Sequence, residues 1–448
     1  IPAIIGAGAL LQDLSYIYDP VGNITEIQDN AYKPVFFNGA RVLPQNTYTY
    51  DVLYRLIAAT GREQANLGAP AQKDSAWRPQ SFAISDTTLQ GYEQHYEYDQ
   101  VGNILKMRHI ADTGAWTRNY QYDLDSNRLL ATQMGSALAY NPYVGIATLD
   151  DKYEYDTHGN ITKIGNGLEN RMKWDYRDTV QQYDLMGGGK AYYQYSSETE
   201  RSRKYIEKGN ITEERLYLGG LERYRRWRNS TLEEEIETLH VFEGEQRILM
   251  VDNVLQTNNP SHIEGAKYRY QYSNHLGSSS LELNETAQII SYEEYHPYGT
   301  TAYHAKNATI KATAKRYRYT GMERDEESGF SYHSARFYLP WLGRWLSADP
   351  IGNLINISLK KNSTKKAPDE EQKIHLDEIL NLYQYCSSKI TTLNDTNGCQ
   401  ANEASLLQQI QQSSESLGQT LATHHAFTRG TAEAVIAEAQ GARFLEAG

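Results

Sequence analysis

The sequence predicts a mainly β protein, a large sheet assembled from repeated hairpins, on three observations: an excess of tyrosine, a recurring Tyr-x-Tyr-Asp phrase, and uneven spacing between its copies. Of 448 residues, 36 are Tyr against 8 Phe and 6 Trp. Tyr joins high strand propensity to a ring that packs and a hydroxyl that stays hydrogen-bonded, which suits a wide, half-wet sheet. The phrase "YIYDPVGNIT" at 16–25 returns as "YEYDQVGNIL" at 96–105 and "YEYDTHGNIT" at 153–162, with looser copies "YTYDVLYRLI" at 48–57 and "YQYDLDSNRL" at 120–129. Tyr-x-Tyr places two rings on one face of a strand. The Asp starts a turn by accepting from the backbone ahead, and Gly-Asn tolerates positive φ before an apolar residue restarts a strand. Anchoring tyrosines at Tyr18, Tyr50, Tyr98, Tyr122 and Tyr155 give intervals of 32, 48, 24 and 33. Such spacing argues against a propeller or strict solenoid and for strands of variable loop length in one large sheet.

Composition narrows the function. The net charge of -12 argues against a nucleic-acid partner, which needs a basic field. Cys386 and Cys399 are the only cysteines, so no disulfide framework supports the fold. No run of about 18 apolar residues is present, so direct membrane insertion is not expected. The apolar opening "IPAIIGAGALLQ" lacks a basic start and is broken by Pro and Gly, unlike a signal peptide. With no initiator Met, the chain is expected to be a fragment of something longer, N-terminally incomplete.

The five phrases in order, followed by "YRYTGMERDEESGFSYHSARFYLPWLGRWLSADPIG" at 317–352, resemble the YD repeats of RHS proteins and the RHS-associated core that closes such arrays. "YRLIAATGRE" at 54–63, "WDYRD" at 174–178 and "YSNHLGSSSLEL" at 272–283 resemble in particular the C component of bacterial insecticidal toxin complexes. The similarity runs from about residue 11 to 399. It implies a secreted β-sheet strip spiralling into a shell over 1–316, a core domain plugging one end over 317–399, and a variable effector over 400–448. It also implies a B-type toxin-complex partner that completes the shell, with the chain's own C-terminal segment as cargo. Neither cofactor nor metal is implied.

Trp341, Leu342, Trp345 and Leu346 carry enough apolar mass for a plug rather than another strip of sheet. Asp349 follows, and "NDTNGC" at 394–399 supplies Asp395 in an Asp-x-x-Gly turn. Two carboxylates brought together in an apolar setting cannot both ionise cheaply, so one holds a proton while the other acts as base, able to set water on a peptide bond. The resemblance implies self-cleavage after the Asp-x-x-Gly-x motif. By position, Asp349 and Asp395 are the catalytic pair and Cys399-Gln400 the scissile bond. Gly343, Trp345, Pro350 and Gly398 complete the core motif, and Arg344 is expected to orient a carboxylate through its fork of donors. The family pattern is Asp-Pro-x-Gly-Leu, whereas Thr396 and Cys399 stand here for its Pro and Leu. Residues 353–378 read as an exposed, charged insertion.

Other features have plainer readings. Asp in such turns is most often a turn former. No Cys-His signature makes Cys399 a nucleophile with His375 or His424, and the adjacent pair His424-His425 does not share a helix face. "RYRRWR" at 223–228, followed by "LEEEIE" at 232–237, reads as one charged hairpin with internal pairing. The acceptor patterns at Asn23, Asn160 and Asn210 reflect what the turn demands more than glycosylation. After 399, Leu406, Leu407, Ile410, Leu417 and Leu421 recur at helical intervals, predicting a short helical C-terminal segment. The alternative function is a secreted or cell-surface YD-repeat adhesion protein without cleavage; the core block with both aspartates favours the toxin reading.

Overall fold

The structure, a computed structural model, describes residues 10–69, 80–81, 89–135, 151–165, 171–185, 187–197, 200–307, 309–350, 381–398 and 402–403. One compact unit, ending at Asn402, carries the fold. It is mainly β, as predicted. Ten of the strands between Leu14–Tyr18 and Ile161–Ile164 form one antiparallel sheet, and those from Met172–Trp174 to Thr301–Lys306, with Gln80–Ser81, form a thirteen-stranded one. A bridge between Lys163 and Arg171 links their neighbouring edges. A third, four-stranded sheet runs through Glu323–Arg324, Ser331–His333, Arg336–Leu339 and Arg344–Trp345. Among the described residues no helix is long and apolar enough to cross a membrane.

Each Tyr-x-Tyr-Asp phrase is a hairpin, and the turn chemistry is local. Asp19 Oδ1 accepts from the backbone N–H of Val21 at 3.0 Å and of Asn23 at 2.8 Å, while its Oδ2 takes the Asn23 amide at 2.8 Å. Asp99 and Asp156 repeat this pattern with Asn103 and Asn160. Asn23 and Asn160 are thus buried members of the turn, as the repeat demands.

The second tyrosine of each phrase does more than pack. It sits where the register shifts by a β-bulge, as at Thr49/Tyr50, Glu97/Tyr98 and Gln121/Tyr122. From there its hydroxyl crosses to the first residue of the returning strand in the hairpin before. Tyr50 donates to Ile24 O at 2.5 Å, Tyr98 to Leu56 O at 2.6 Å, Tyr122 to Ile104 O at 3.0 Å, Tyr195 to Val180 O at 2.9 Å and Tyr295 to Ser279 O at 2.7 Å. Trp174 serves with its indole N–H on Ile161 O at 2.8 Å, and Tyr155 accepts from Leu129 N at 3.0 Å. Phe could fill the space but not make the bond, which accounts for tyrosine at these positions. A bulge breaks the ladder, and this bond restores a partner where the ladder is interrupted.

The basic run at 223–228 lies in the hairpin of Leu221–Arg228 with Thr231–Glu243. Arg223 and Arg225 share Glu235, at 2.6 and 2.9 Å, and Arg228 meets Glu233 at 2.7 Å. This is the internal pairing expected from the sequence.

Trp341, Leu342, Trp345 and Leu346 are buried in one core with inward residues of both large sheets, including Tyr96, Tyr120, Ile161 and Tyr183. The apolar block is therefore core, and Trp345 also lies on a strand of the small sheet. Charge pins the preceding stretch. Arg201 reaches Glu323 at 2.6 Å and Asp325 at 2.7 Å, Arg316 reaches Glu222 at 2.6 Å, and Lys315 reaches Glu293 at 3.0 Å. Lys204 holds Asp325 at 2.7 Å and Glu327 at 3.4 Å. Burial, and then the Asp325 carboxylate, push the Glu327 carboxyl up to about 7 against the pull of Lys204.

Two measurements test these contacts. Tyr98→Phe is expected to lower thermal stability by about 1–3 kcal/mol, since a buried carbonyl loses its donor. Tyr176→Phe, at a side chain 88% exposed, should change it by less than about 0.5 kcal/mol. Because the folded value of Glu327 lies above that of a free carboxyl, folding takes up a proton, and its contribution to stability falls as pH rises from about 4.5 to about 7. Melting curves of Glu327→Gln should match wild type near about pH 4 and lie above it near about pH 8.

Candidate active site

Three segments build the site. The hairpin of Ser331–His333 with Arg336–Leu339 forms its floor. Residues 344–349 run beside 382–384, with Trp345 N donating to Tyr383 O at 3.1 Å and Asp349 N to Leu382 O at 3.0 Å. The returning arm is laced to the repeat turns: Asn381 donates to Asn103 Oδ1 at 2.8 Å, Tyr383 to Gly159 O at 2.7 Å, and Thr391 meets the Tyr50 hydroxyl at 2.7 Å. It then places the Asp395 turn on the tip of the floor hairpin, where Ala335 N donates to Asn397 O at 3.1 Å.

This routing brings both predicted carboxylates to one guanidinium. Arg336 Nη2 stands 2.7 Å from Asp349 Oδ2 and 3.2 Å from Asp395 Oδ2. The side chains of Arg336 and Asp395 are each 3% exposed, and that of Asp349 is 14% exposed. Arg336 Nε donates to the Gly398 carbonyl, Nη1 donates to Leu382 O at 3.2 Å, and its plane lies 4.1 Å from the Trp345 ring centre. The two carboxylates thus share the Arg336 guanidinium, a residue the sequence reading had not singled out.

Arg344, expected on a carboxylate, lies elsewhere. Its Nη2 donates to Asn127 O at 2.8 Å, and its guanidinium sits between the rings of Tyr122 and Tyr383, 5.1 and 5.0 Å from their centres. The alternation of a strand explains the difference, because Arg344 and Trp345 point to opposite faces and Trp345 is the one that meets Arg336. Sequence reasoning missed Arg336. The signal was a charge beside three apolar residues in "RFYL", which a buried strand tolerates only with a counter-charge.

The motif glycines are spatial requirements. Gly398 has φ +73°, and a Cβ there would lie 2.3 Å from His333 O and 2.7 Å from Arg336 N. Its N–H donates to Asp395 Oδ1 at 2.7 Å, so Asp395 is a turn former and a site residue together. Gly343, φ +68°, wedges between Ile104 of the ten-stranded sheet and Tyr298. His333, also missed, bonds the Asp395 carbonyl through Nδ1, and burial pushes its imidazole down to about 3, leaving it neutral. Pro350 follows Asp349 at the surface. Cys399, Gln400, His375, His424 and His425, the insertion at 353–378 and the predicted C-terminal helices lie outside the described residues.

No protein-family profile matches the chain. Toxin subunit YenC1 of Yersinia entomophaga is 33% identical over 368 residues, 79% of this chain and 36% of that protein. A crystal structure of TcdB2-TccC3 aligns with a TM-score of 0.69 at 33% identity, over 87% of this chain and 17% of that one. The Photorhabdus luminescens Tc holotoxin pore, with an aspartate-to-alanine substitution in its TccC3, gives 0.70 at 32% identity over 88% and 17%. The chain belongs to the RHS/YD-repeat proteins, as a relative of the toxin-complex C components. It spans about a third of the curated relative's length.

Arg336→Gln removes the cation from between two carboxylates and is expected to lower thermal stability by about 3–5 kcal/mol. The double variant Arg336→Gln/Asp395→Asn should regain about 0.5–3 kcal/mol of that loss, the coupling of groups in direct contact.

Proposed function

We propose that this chain is the later part of a toxin-complex C component, secreted and assembled with a B-type partner. Its hairpins over 1–316 spiral into a shell, 317–399 close it, and 400–448 begin the enclosed effector. After folding, the chain cuts itself once between Cys399 and Gln400. One carboxylate of the Asp349–Asp395 pair takes a proton from a water that attacks the Cys399 carbonyl carbon. The other gives its proton to the Gln400 nitrogen as the peptide bond breaks, so the products are a new carboxyl end and a new amine.

The observation that carries this reading is Arg336 holding both carboxylates on one nitrogen while its Nε grips the carbonyl of Gly398, one peptide ahead of the bond to be cut. Substrate and catalyst share one chain, so the entropy of bringing them together is spent in folding. The YenC1 and TccC3 relatives support the toxin-component assignment, and the pairing of TccC3 with TcdB2 supports the partner.

A denaturing gel of purified protein tests the cleavage. A fragment comprising 400–448 should separate from the wild-type chain and be absent from Asp349→Asn and Asp395→Asn. A single intact band in wild type, with the protein folded, would remove self-cleavage from the assignment.

A further inference from the structure

Away from the aspartates, the two large sheets meet at a buried carboxylate with an unusual set of neighbours. Glu63, from the strand Leu56–Gln64, is 1% exposed. Its Oε1 lies 3.0 Å from His109 Nε2 and its Oε2 lies 2.9 Å from His296 Nε2. His109 belongs to the same ten-stranded sheet, in Ile104–Ala111. His296 follows Ile289–Tyr295 of the other sheet. One ligand atom from each residue can be chosen so that all three lie within 4.8 Å of one another.

Four other buried glutamates face arginine or lysine: Glu222 meets Arg316, Glu282 meets Arg269, Glu293 meets Lys315 and Glu323 meets Arg201, while Glu234 faces the single histidine His262. Among the described residues no Lys or Arg pairs with Glu63. A buried carboxylate calls for a compensating cation. We propose that Glu63, His109 and His296 hold a divalent transition-metal ion of the zinc class, which clamps the two sheets together.

The surroundings suit that role. Both imidazoles turn the same nitrogen, Nε2, toward the centre, and each Nδ1 is engaged behind it, by the Gln94 amide nitrogen at 3.1 Å for His109, with Gln94 Oε1 taking the Tyr96 hydroxyl, and by Thr300 Oγ1 at 2.9 Å for His296. A Gln amide can turn either its oxygen or its nitrogen to the ring. Ligating histidines are oriented by such outer partners, and ligating carboxylates are themselves hydrogen-bonded. Here Gln90 donates to Glu63 Oε1 at 2.8 Å and is fixed in turn by Thr113 N at 3.0 Å. Trp116 stacks on His109 at 5.3 Å between ring centres, and Tyr92 packs edge-on to His296 at 4.8 Å. Two imidazoles and one carboxylate are a borderline donor set that suits Zn²⁺ or Co²⁺ rather than Ca²⁺ or Mg²⁺.

Untagged full-length protein, stripped with chelator, would be titrated with Co²⁺ and Zn²⁺. One equivalent should bind, with a visible Co²⁺ absorption band and a Zn²⁺-dependent rise in the thermal transition. Both should disappear in His296→Gln and persist in His95→Gln, a half-exposed histidine beside Glu93. If His296→Gln does not fold, Thr300→Val serves, and its Zn²⁺ affinity should fall about 10- to 100-fold. A folded wild-type chain with neither band nor shift, or variants that bind as wild type does, would overturn the assignment.

Discussion

The structure depends on a hydrogen bond between hairpins, not within them. A sheet of many strands can slip or splay wherever a bulge interrupts its ladder, and every repeat of this chain carries a bulge at the end of its outgoing strand. The phenolic hydroxyl placed there ties a hairpin to its predecessor at one fixed residue, the first of the returning strand. A tie of this kind does not depend on how many residues lie between one hairpin and the next. That is why intervals as different as 24 and 48 residues coexist in one continuous sheet.

The same turns serve a second layer. Their tips present backbone carbonyls and Asn side chains to the arm at 381–398, and the arm carries Asp395 to its place. Repeat and site are therefore one framework, in which the register of the sheet sets the position of a carboxylate far away in sequence. The buried ion pairs at 315–327 add a second anchor. Their net contribution to stability is small beside their number, because burying charge is costly even when it is paired.

Much of this was legible in the residues. Tyr-x-Tyr-Asp and Gly-Asn identify strand, turn and return without any tertiary information, since each device acts within about ten residues. The charged hairpin at 221–243 was equally local. Asp349 and Asp395 could be singled out by motif. Arg336 could not, because its role arises only when the hairpin of 331–339 folds under both aspartates, and strand alternation then selects it over Arg344. The two uses of tyrosine were also hidden: composition reported the excess, but only register shows which hydroxyl reaches which carbonyl. Glu63, His109 and His296 are spread over more than two hundred positions, and no spacing rule connects them.

Because residues 344–349 are zipped directly against 382–384, the stretch between them is bypassed by the joint that aligns the two aspartates. Lengthening that connection costs little, since closing a longer loop adds only a slowly growing entropic cost. A connection of another length could thus join the two sides of the most geometrically demanding part of the chain without disturbing it.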